Sequence, residues 1–452
     1  MSRLPAERAA SGDLGATASV IVEEVARRLA DPSKVVPEPG GGPVPWAPLS
    51  LSDGAPGLAM LFAELGRADA AYRPVAHRYL SLAARSVGRR ADRGPYDRAL
   101  FDGPAALAIA ARTAVQRRGD YERLLGDLDR RIADAAAQRA AEGMLQVSAG
   151  RTGTTFEAYD VISGLAGTGR HLLDGGDPVR PALERVLGFL VALSHPLPGD
   201  GGEIPGWWVR HGPRRLASPG GAPPPMDGSG GAHLNLGMAH GISGPLALLA
   251  LAWDRGVRVP GQRAALERIA AWLLGVRRYD PYGPYWPAVL PTPVDDHPAE
   301  ALLAYSRRQD GWCYGVPGVA RALQLAARAL DRPDWRTCAL ETVHALLARP
   351  VSDGGATDAG LCHGRAGQAY LVWRIGRDAS DRVLLAGARR LAGLAIEAFD
   401  PGTRFGFQAG AIEGALDRPG FLEGAAGVAL ALRAVVADTP PSGGWDAALL
   451  IA

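Results

Sequence analysis

The chain has 452 residues, 47% of them hydrophobic, and a formal net charge of +2. A balance this near neutrality gives no basis for binding nucleic acid or an anionic membrane, and no run of about 18 uncharged apolar residues is present to span a bilayer. The apolar content suffices for a large core, but the length exceeds that of one ordinary compact domain, a limit that a closed ring of repeats escapes.

The N-terminal stretch MSRLPAERAASGDLGATASV lacks the apolar centre of a signal peptide. An amphipathic helix is expected over roughly 17–30, and residues 37–47 (PEPGGGPVPWA) read as a linker. At Gly54 a Gly-x-x-Gly opens an almost uncharged stretch, GAPGLAMLFAEL. The pattern returns at Gly103 (GPAALAIAA, with Ala106 for the second glycine), Gly164, Gly241, Gly315, Gly364 and Gly424. That makes seven copies, 49 to 77 residues apart. Charged-face stretches alternate with them at 74–91, 119–139, 178–194, 261–277, 333–348 and 381–398. Their apolar residues recur every three or four positions, as in Leu183, Val186, Leu190 and Leu193. The two longest intervals hold Gly/Pro-rich insertions, 195–232 and 279–298. Within the first, GEIPGWWVRHG (202–212) is expected to hold a short strand, since Trp207, Trp208 and Val209 favour β, and 212–232 is expected to lie outside the helical framework.

Seven helices that are apolar all round must be buried, and seven with one polar face belong outside. The expected fold is therefore all-α. It is an α/α toroid of seven inner and seven outer helices, one domain over 1–452, with loop insertions that carry short strands. The glycines let backbones crowd at the inner helix starts. They also leave free N–H groups, at the positive end of each helix dipole, facing the middle of one end.

Two of the three cysteines share a repeat phase. Cys313, in GWCYGVPG, and Cys362, in LCHGRAG, each precede a repeat glycine by two residues. Equivalent positions in adjacent repeats are neighbours, so both thiols and His363 can converge. Two cysteines and a histidine form the ligand set of a zinc site with one position open. Thiolate ligands and no disulfides fit a reducing, cytoplasmic setting. Cys338, in an outer helix, is expected to be a small buried hydrophobe. Asp53, Asp102 and Glu423, each just before a repeat glycine, read as helix-start partners. His77, His171, His195, His211, His233, His297 and His344 show no partner pattern and are expected at the surface or in loops.

The elements WCYGVPG (312–318), CHG (362–364), NLGMAHGISG (235–244) and YDVISGLAG (159–167), in their chain order, resemble the lanthionine synthetase cyclases, the LanC family. The resemblance covers nearly the whole chain. It implies an α/α toroid holding one Zn²⁺ and cyclisation of a dehydrated precursor peptide. With the first repeat about fifty residues into the chain, a stand-alone cyclase is expected, with dehydration left to a separate dehydratase. One departure concerns an arginine that the family usually places four residues before its first zinc cysteine. Here that residue is Gln309, and Arg308 is the candidate one step earlier.

Under that reading Cys313, Cys362 and His363 hold the zinc, and the substrate thiol takes the fourth position. His240, one residue before a repeat glycine as His363 is, is the candidate acid that protonates the enolate left by thiol addition. Asp160, on the same rim, would orient His240 or help deprotonate the thiol. Two alternatives stand beside this one. The first is a zinc-dependent thiol alkyltransferase of another kind, prenyltransferase-like. The second is a glutathione-adding or non-cyclising LanC-like protein.

Overall fold

A computed structural model describes residues 14–37, 46–89, 99–150, 153–199, 202–210, 232–292, 308–350, 358–409 and 416–452. Most of the 37–47 linker, the 212–232 segment except Ala232, and the end of the 279–298 insertion lie outside the described residues.

Sixteen α-helices are present among the described residues. Seven open at the repeat glycines: α3 (Ala55–Ala68), α5 (Pro104–Ala114), α8 (Leu165–Leu173), α10 (Ser243–Asp254), α12 (Val316–Leu330), α14 (Arg365–Ala379) and α16 (Ala425–Ala437). The repeat glycine is the N-cap of six; α10 begins one turn position later, capped by Ile242. Seven others carry the charged faces: α1 (Leu14–Leu29), α4 (Arg73–Arg89), α6 (Glu122–Ser148), α9 (Arg180–Leu193), α11 (Gln262–Gly275), α13 (Pro333–Ala348) and α15 (Arg382–Glu397). Two short helices, α2 (Pro32–Val35) and α7 (Phe156–Tyr159), complete the set.

Each inner helix packs on the inner helices before and after it, and α16 packs back on α3, so the ring closes. Their largely apolar sequences explain this, the buried charges Glu64, Arg170 and Arg321 being the exceptions. Every residue of α8 is buried, and α10 is buried from Ser243 to Ala252. The outer helices bury one stripe only, as α15 does with Leu384, Ala388, Leu391, Ala392 and Ala395. The fold is an α/α toroid, as the periodicity and the family resemblance both led us to expect. The first outer helix, α1, lies against the last inner one, α16, and so seals the seam.

Among the described residues, four two-stranded antiparallel sheets decorate the ring. β1 (Pro196–Gly199) pairs with β2 (Gly202–Pro205), and β4 (Arg278–Asp280) with β5 (Gly283–Tyr285). β3 (His233–Asn235) pairs with β6 (Val289–Pro291), which ties the two insertions together beside the rim. β7 (Gln408–Ala409) pairs with β8 (Leu416–Asp417). A strand does form in the GEIPGWWVRHG segment, at its start as β2, while beyond Pro205 only Val209 bridges, to Thr154 and His233. The tryptophans are buried instead, Trp207 meeting Trp272 edge to face at 5.2 Å. Burial of a large aromatic outweighs its weak β preference here.

The centre of the ring is filled by the last residues of the chain. Trp445–Leu449 form a 3-10 turn with Trp445 fully buried, and Leu450 and Ile451 are also fully buried. Glu64 accepts from the backbone N–H groups of Ser442 and Gly443, at 2.9 and 2.7 Å. Tyr370 donates to Asp446 Oδ2 at 2.7 Å. Arg321 Nε donates to Ile451 O at 2.8 Å, and Arg170 Nε and Nη2 to Ala452 O at 3.1 and 2.9 Å. Nothing in the repeat pattern foretells this plug.

Candidate metal centre and rim

The loops entering the inner helices form a second closed ring, made of backbone hydrogen bonds. Leu51 N donates to Phe101 O, Phe101 N to Ile162 O, Val161 N to Ala239 O, and Ala239 N to Cys313 O. Cys313 N then donates to Cys362 O, Cys362 N to Leu422 O, and Phe421 N to Ser52 O, with all seven bonds between 2.7 and 3.2 Å. Residues two before each repeat glycine therefore meet their repeat neighbours. This is why Cys313 and Cys362, 49 positions apart, are adjacent.

Two glycines make the approach possible. Gly315 has φ +96, and a Cβ there would lie 1.7 Å from Gln309 O. A Cβ on Gly237 would lie 2.3 Å from Cys313 O. Any side chain at either position would push the Cys313 loop out of line.

The structure brings Cys313, Cys362 and His363 together, with one ligand atom from each within 4.8 Å of the others. Cys313 Sγ is 3.9 Å from His363 Nδ1. A tetrahedral ion with bonds of about 2.0–2.3 Å needs its ligands roughly 3.5–3.8 Å apart, so one ion fits with little adjustment. The electrostatics agree. The neighbouring Cys362 thiol, and then His363, lower the Cys313 thiol to about 5, against the pull of burial. Cys362 is pushed far up by Cys313 and by burial. His363 is raised to about 9, chiefly by its contact with Cys313. A divalent cation bound there would take the place of these protons.

His240 stands on the adjacent repeat. Its Nδ1 lies 2.5 Å from Asp160 Oδ2, and the Asp160 side chain is fully buried. Asp160 Oδ1 accepts from Ser163 N at 2.7 Å. Burial pushes the His240 imidazole down, but the hydrogen bond and charge of Asp160 outweigh it, and the net shift is upward. The side chain keeps 32% exposure, so it is reachable from the rim. Phe156 and Tyr314 flank it, with ring centroids 5.6 and 6.2 Å away. Tyr159, buried, donates to His240 O at 3.4 Å. Tyr314 is held far from ionisation, mainly by burial and then by Cys313.

Arg308 lies within 3.5 Å of Asp280 and 3.2 Å of Asp310, and bridges to Pro287. The structure thus places it on the loop leading to Cys313, in contact with carboxylates. Trp312 is core: it is fully buried, and its Nε1 donates to Leu449 O of the plug at 2.9 Å.

Some expectations need correction. Asp102 accepts from Gly103 N at 2.8 Å but caps no N–H of the helix, since Gly103 is itself the N-cap of α5, and Asp53 and Glu423 flank Arg418, at 3.5 and 2.8 Å. His171 and His233 are buried rather than superficial, His171 at 2.7 Å from Asp129, and His344 lies 2.7 Å from Asp381. These partners come from other helices, so no local pattern reveals them. Cys338 is buried as expected, with Arg277 Nη1 at 2.8 Å, and burial pushes its thiol up. Sequence reasoning missed Asp358, whose Oδ2 lies 3.4 Å from His363 Nε2. It sits six residues before a repeat glycine, as Asn235 does, and that offset was the available signal.

Residues 45–450 match the family model described as Lanthionine synthetase C-like protein. The chain belongs to that lanthionine synthetase C-like family. Among individual members, it is 24% identical over 323 residues to the nisin biosynthesis protein NisC of Lactococcus lactis subsp. lactis, covering 71% of this chain and 72% of NisC. Among solved structures, it superimposes on a nisin cyclase with a TM-score of 0.68 at 20% identity, covering 96% of this chain and 97% of that one. The lanthionine synthetase C-like architecture therefore extends over the whole ring. No helix among the described residues is long and apolar enough to cross a membrane.

Proposed function

We propose that this protein is a zinc-dependent lanthipeptide cyclase, which adds cysteine thiols of a dehydrated precursor peptide to dehydroalanine or dehydrobutyrine in the same peptide. The observation that carries this reading is the convergence of Cys313, Cys362 and His363 beside a His240–Asp160 pair on one rim. Family membership and the similarity to NisC support it.

Cys313 Sγ, Cys362 Sγ and His363 Nδ1 would hold the zinc. When bound, zinc makes a substrate thiol a thiolate at neutral pH, where a free thiol of pKa near ~8.5 is mostly protonated. The substrate sulfur forms a bond to the β-carbon of the dehydro residue. The π electrons move onto the α-carbon and its carbonyl, and the α-carbon then needs a proton. His240 supplies it from Nε2, because Asp160 occupies Nδ1. Asp160, fully buried and fixed by Ser163 N, orients the ring and favours its protonated form. It acts on the thiol only through His240. Arg308, beside Asp280 and Asp310, would support the Cys313 loop rather than handle protons. The precursor peptide would come from a separate dehydratase, and the setting would be cytoplasmic.

The test is a cyclisation assay. A peptide containing one cysteine and one dehydroalanine is incubated with zinc-loaded or metal-free protein, and unreacted thiol is counted as alkylated mass. Zinc-dependent loss of alkylation with no change in peptide mass supports the reading. No acceleration over the protein-free rate overturns it. With added glutathione, a gain of one glutathione mass in place of ring closure would favour the glutathione-adding alternative.

A further inference from the structure

We propose that Asp358 is a positioning residue, which holds His363 so that Nδ1, and not Nε2, is the nitrogen offered to the metal. The inference rests on the metal-dependent reading above.

The argument uses the protein's own repeats as a control. Asp358 and Asn235 both lie six residues before a repeat glycine, Gly364 and Gly241. Both build the same turn. Asn235 Oδ1 accepts from Gly237 N at 3.0 Å, and Asp358 Oδ1 accepts from Gly360 N at 2.8 Å. In both repeats the glycine packs against that oxygen. A Cβ on Gly241 would meet Asn235 Oδ1 at 2.5 Å, and one on Gly364 would meet Asp358 Oδ1 at 2.3 Å. The turn therefore needs a side-chain oxygen and no charge, since an amide serves in one copy.

Asp358 nevertheless carries a carboxylate, with its side chain only 6% exposed. A buried carboxylate is costly unless it is paired. Its second oxygen, unused by the turn, lies 3.4 Å from His363 Nε2. His363 Nδ1 faces the other way, toward Cys313 Sγ at 3.9 Å. An imidazole whose Nε2–H is held toward a carboxylate presents the lone pair of Nδ1, and a carboxylate at that distance also raises its basicity. The histidine at the same repeat position in the earlier copy confirms that orientation is imposed from outside the ring. His240 is turned by Asp160, from the preceding repeat, and presents Nε2 instead. Two histidines at equivalent positions are thus set in opposite senses by two different carboxylates.

The experiment compares wild type with Asp358→Asn. Zinc affinity is measured by competition with a chromophoric chelator, and the melting temperature is measured on metal-free protein. Asn235 shows that an amide keeps the turn, so the metal-free melting temperature should stay near wild type. Zinc affinity should fall roughly 10- to 100-fold, the usual cost of removing such a partner. Equal affinity in the two proteins overturns the proposal. A wild type that binds no zinc overturns the metal-dependent function instead, so the two failures are distinct. A second measurement needs no variant. Nitrogen NMR of histidine-labelled, zinc-loaded wild type should show His363 protonated at Nε2 and metal-bound at Nδ1, and the reverse assignment refutes the proposal.

Discussion

The rim loops and the plug beneath them solve opposite problems with the same inner helices. The rim is made seven times over: each loop donates a backbone hydrogen bond to a neighbour, and the circle closes. Such a frame is indifferent to side chains. At the position two before the glycine it carries Ser52, Phe101, Ile162, Ala239, Cys313, Cys362 and Leu422. Chemistry could be installed at adjacent positions without disturbing the backbone. The plug occurs once. It is held by groups specific to single helices: Glu64, Arg170, Arg321 and Tyr370. Two of these are buried arginines whose guanidinium charge is opposed by burial. A repeated frame tolerates local variation, whereas a unique plug depends on each of its partners. Function should therefore be separable from stability at the rim and inseparable from it at the plug.

The largest expected effect tests the first half of that contrast. His240→Ala removes the proposed proton donor but none of the proposed metal ligands. Cyclisation should slow by roughly 10²- to 10⁴-fold. Zinc content should match wild type, because the side chain is 32% exposed and contributes nothing to the backbone circle, while the melting temperature should drop, because the fully buried Asp160 loses its imidazole partner. Loss of zinc along with activity would show that the rim is not modular.

A smaller effect, and one on stability alone, is expected at the plug. Asp174 receives Arg170 Nη1 at 2.7 Å and also pairs with Arg255, while Arg170 clamps Ala452 O. Burial pushes the Asp174 carboxyl up, but the charges of Arg170 and Arg255 outweigh it and hold it below the usual range. A depressed folded-state value stabilises the fold above the unfolded pKa of about 3.9 and loses that contribution as pH falls through the folded value. Asp174→Asn should cost roughly 2 kcal/mol at neutral pH, lower the melting temperature, and flatten its dependence on pH below about 4. Zinc affinity should not change. An unaltered acid limb in thermal melts would show that this network does not anchor the plug.

What could be read in advance follows the same division. The helices, their inner and outer sorting, and the meeting of Cys313, Cys362 and His363 were legible because repetition turns sequence spacing into spatial adjacency. His240 and Asp160 were legible for the same reason, both lying on the loops that the backbone circle joins. Repetition says nothing about contacts made once. The plug and the His171–Asp129 pair both join elements with no shared phase. Asp358 falls between the two cases. Its offset was repeated, but its charge was not, and only the structure showed where the second oxygen points.

Trp312 is where the two regions touch, and it offers the sharpest test of whether they are independent. It immediately precedes Cys313, is fully buried, and donates to Leu449 O of the plug at 2.9 Å. Trp312→Phe keeps most of the ring volume and deletes the donor, leaving a buried carbonyl unsatisfied at a cost of about 1 kcal/mol or more. If the plug merely fills space, the melting temperature should drop by a few degrees and zinc affinity should hold. The hydrogen bond, however, fixes the residue next to a ligand, and loosening it lets Cys313 Sγ wander from the point where three ligand atoms converge. We expect zinc affinity to fall several-fold, up to about tenfold, a smaller loss than removal of a direct partner of a ligand causes. Because that change is read on zinc binding, it separates coupling from simple destabilisation. A lower melting temperature with wild-type affinity would leave the rim and the plug as two independent devices on one ring.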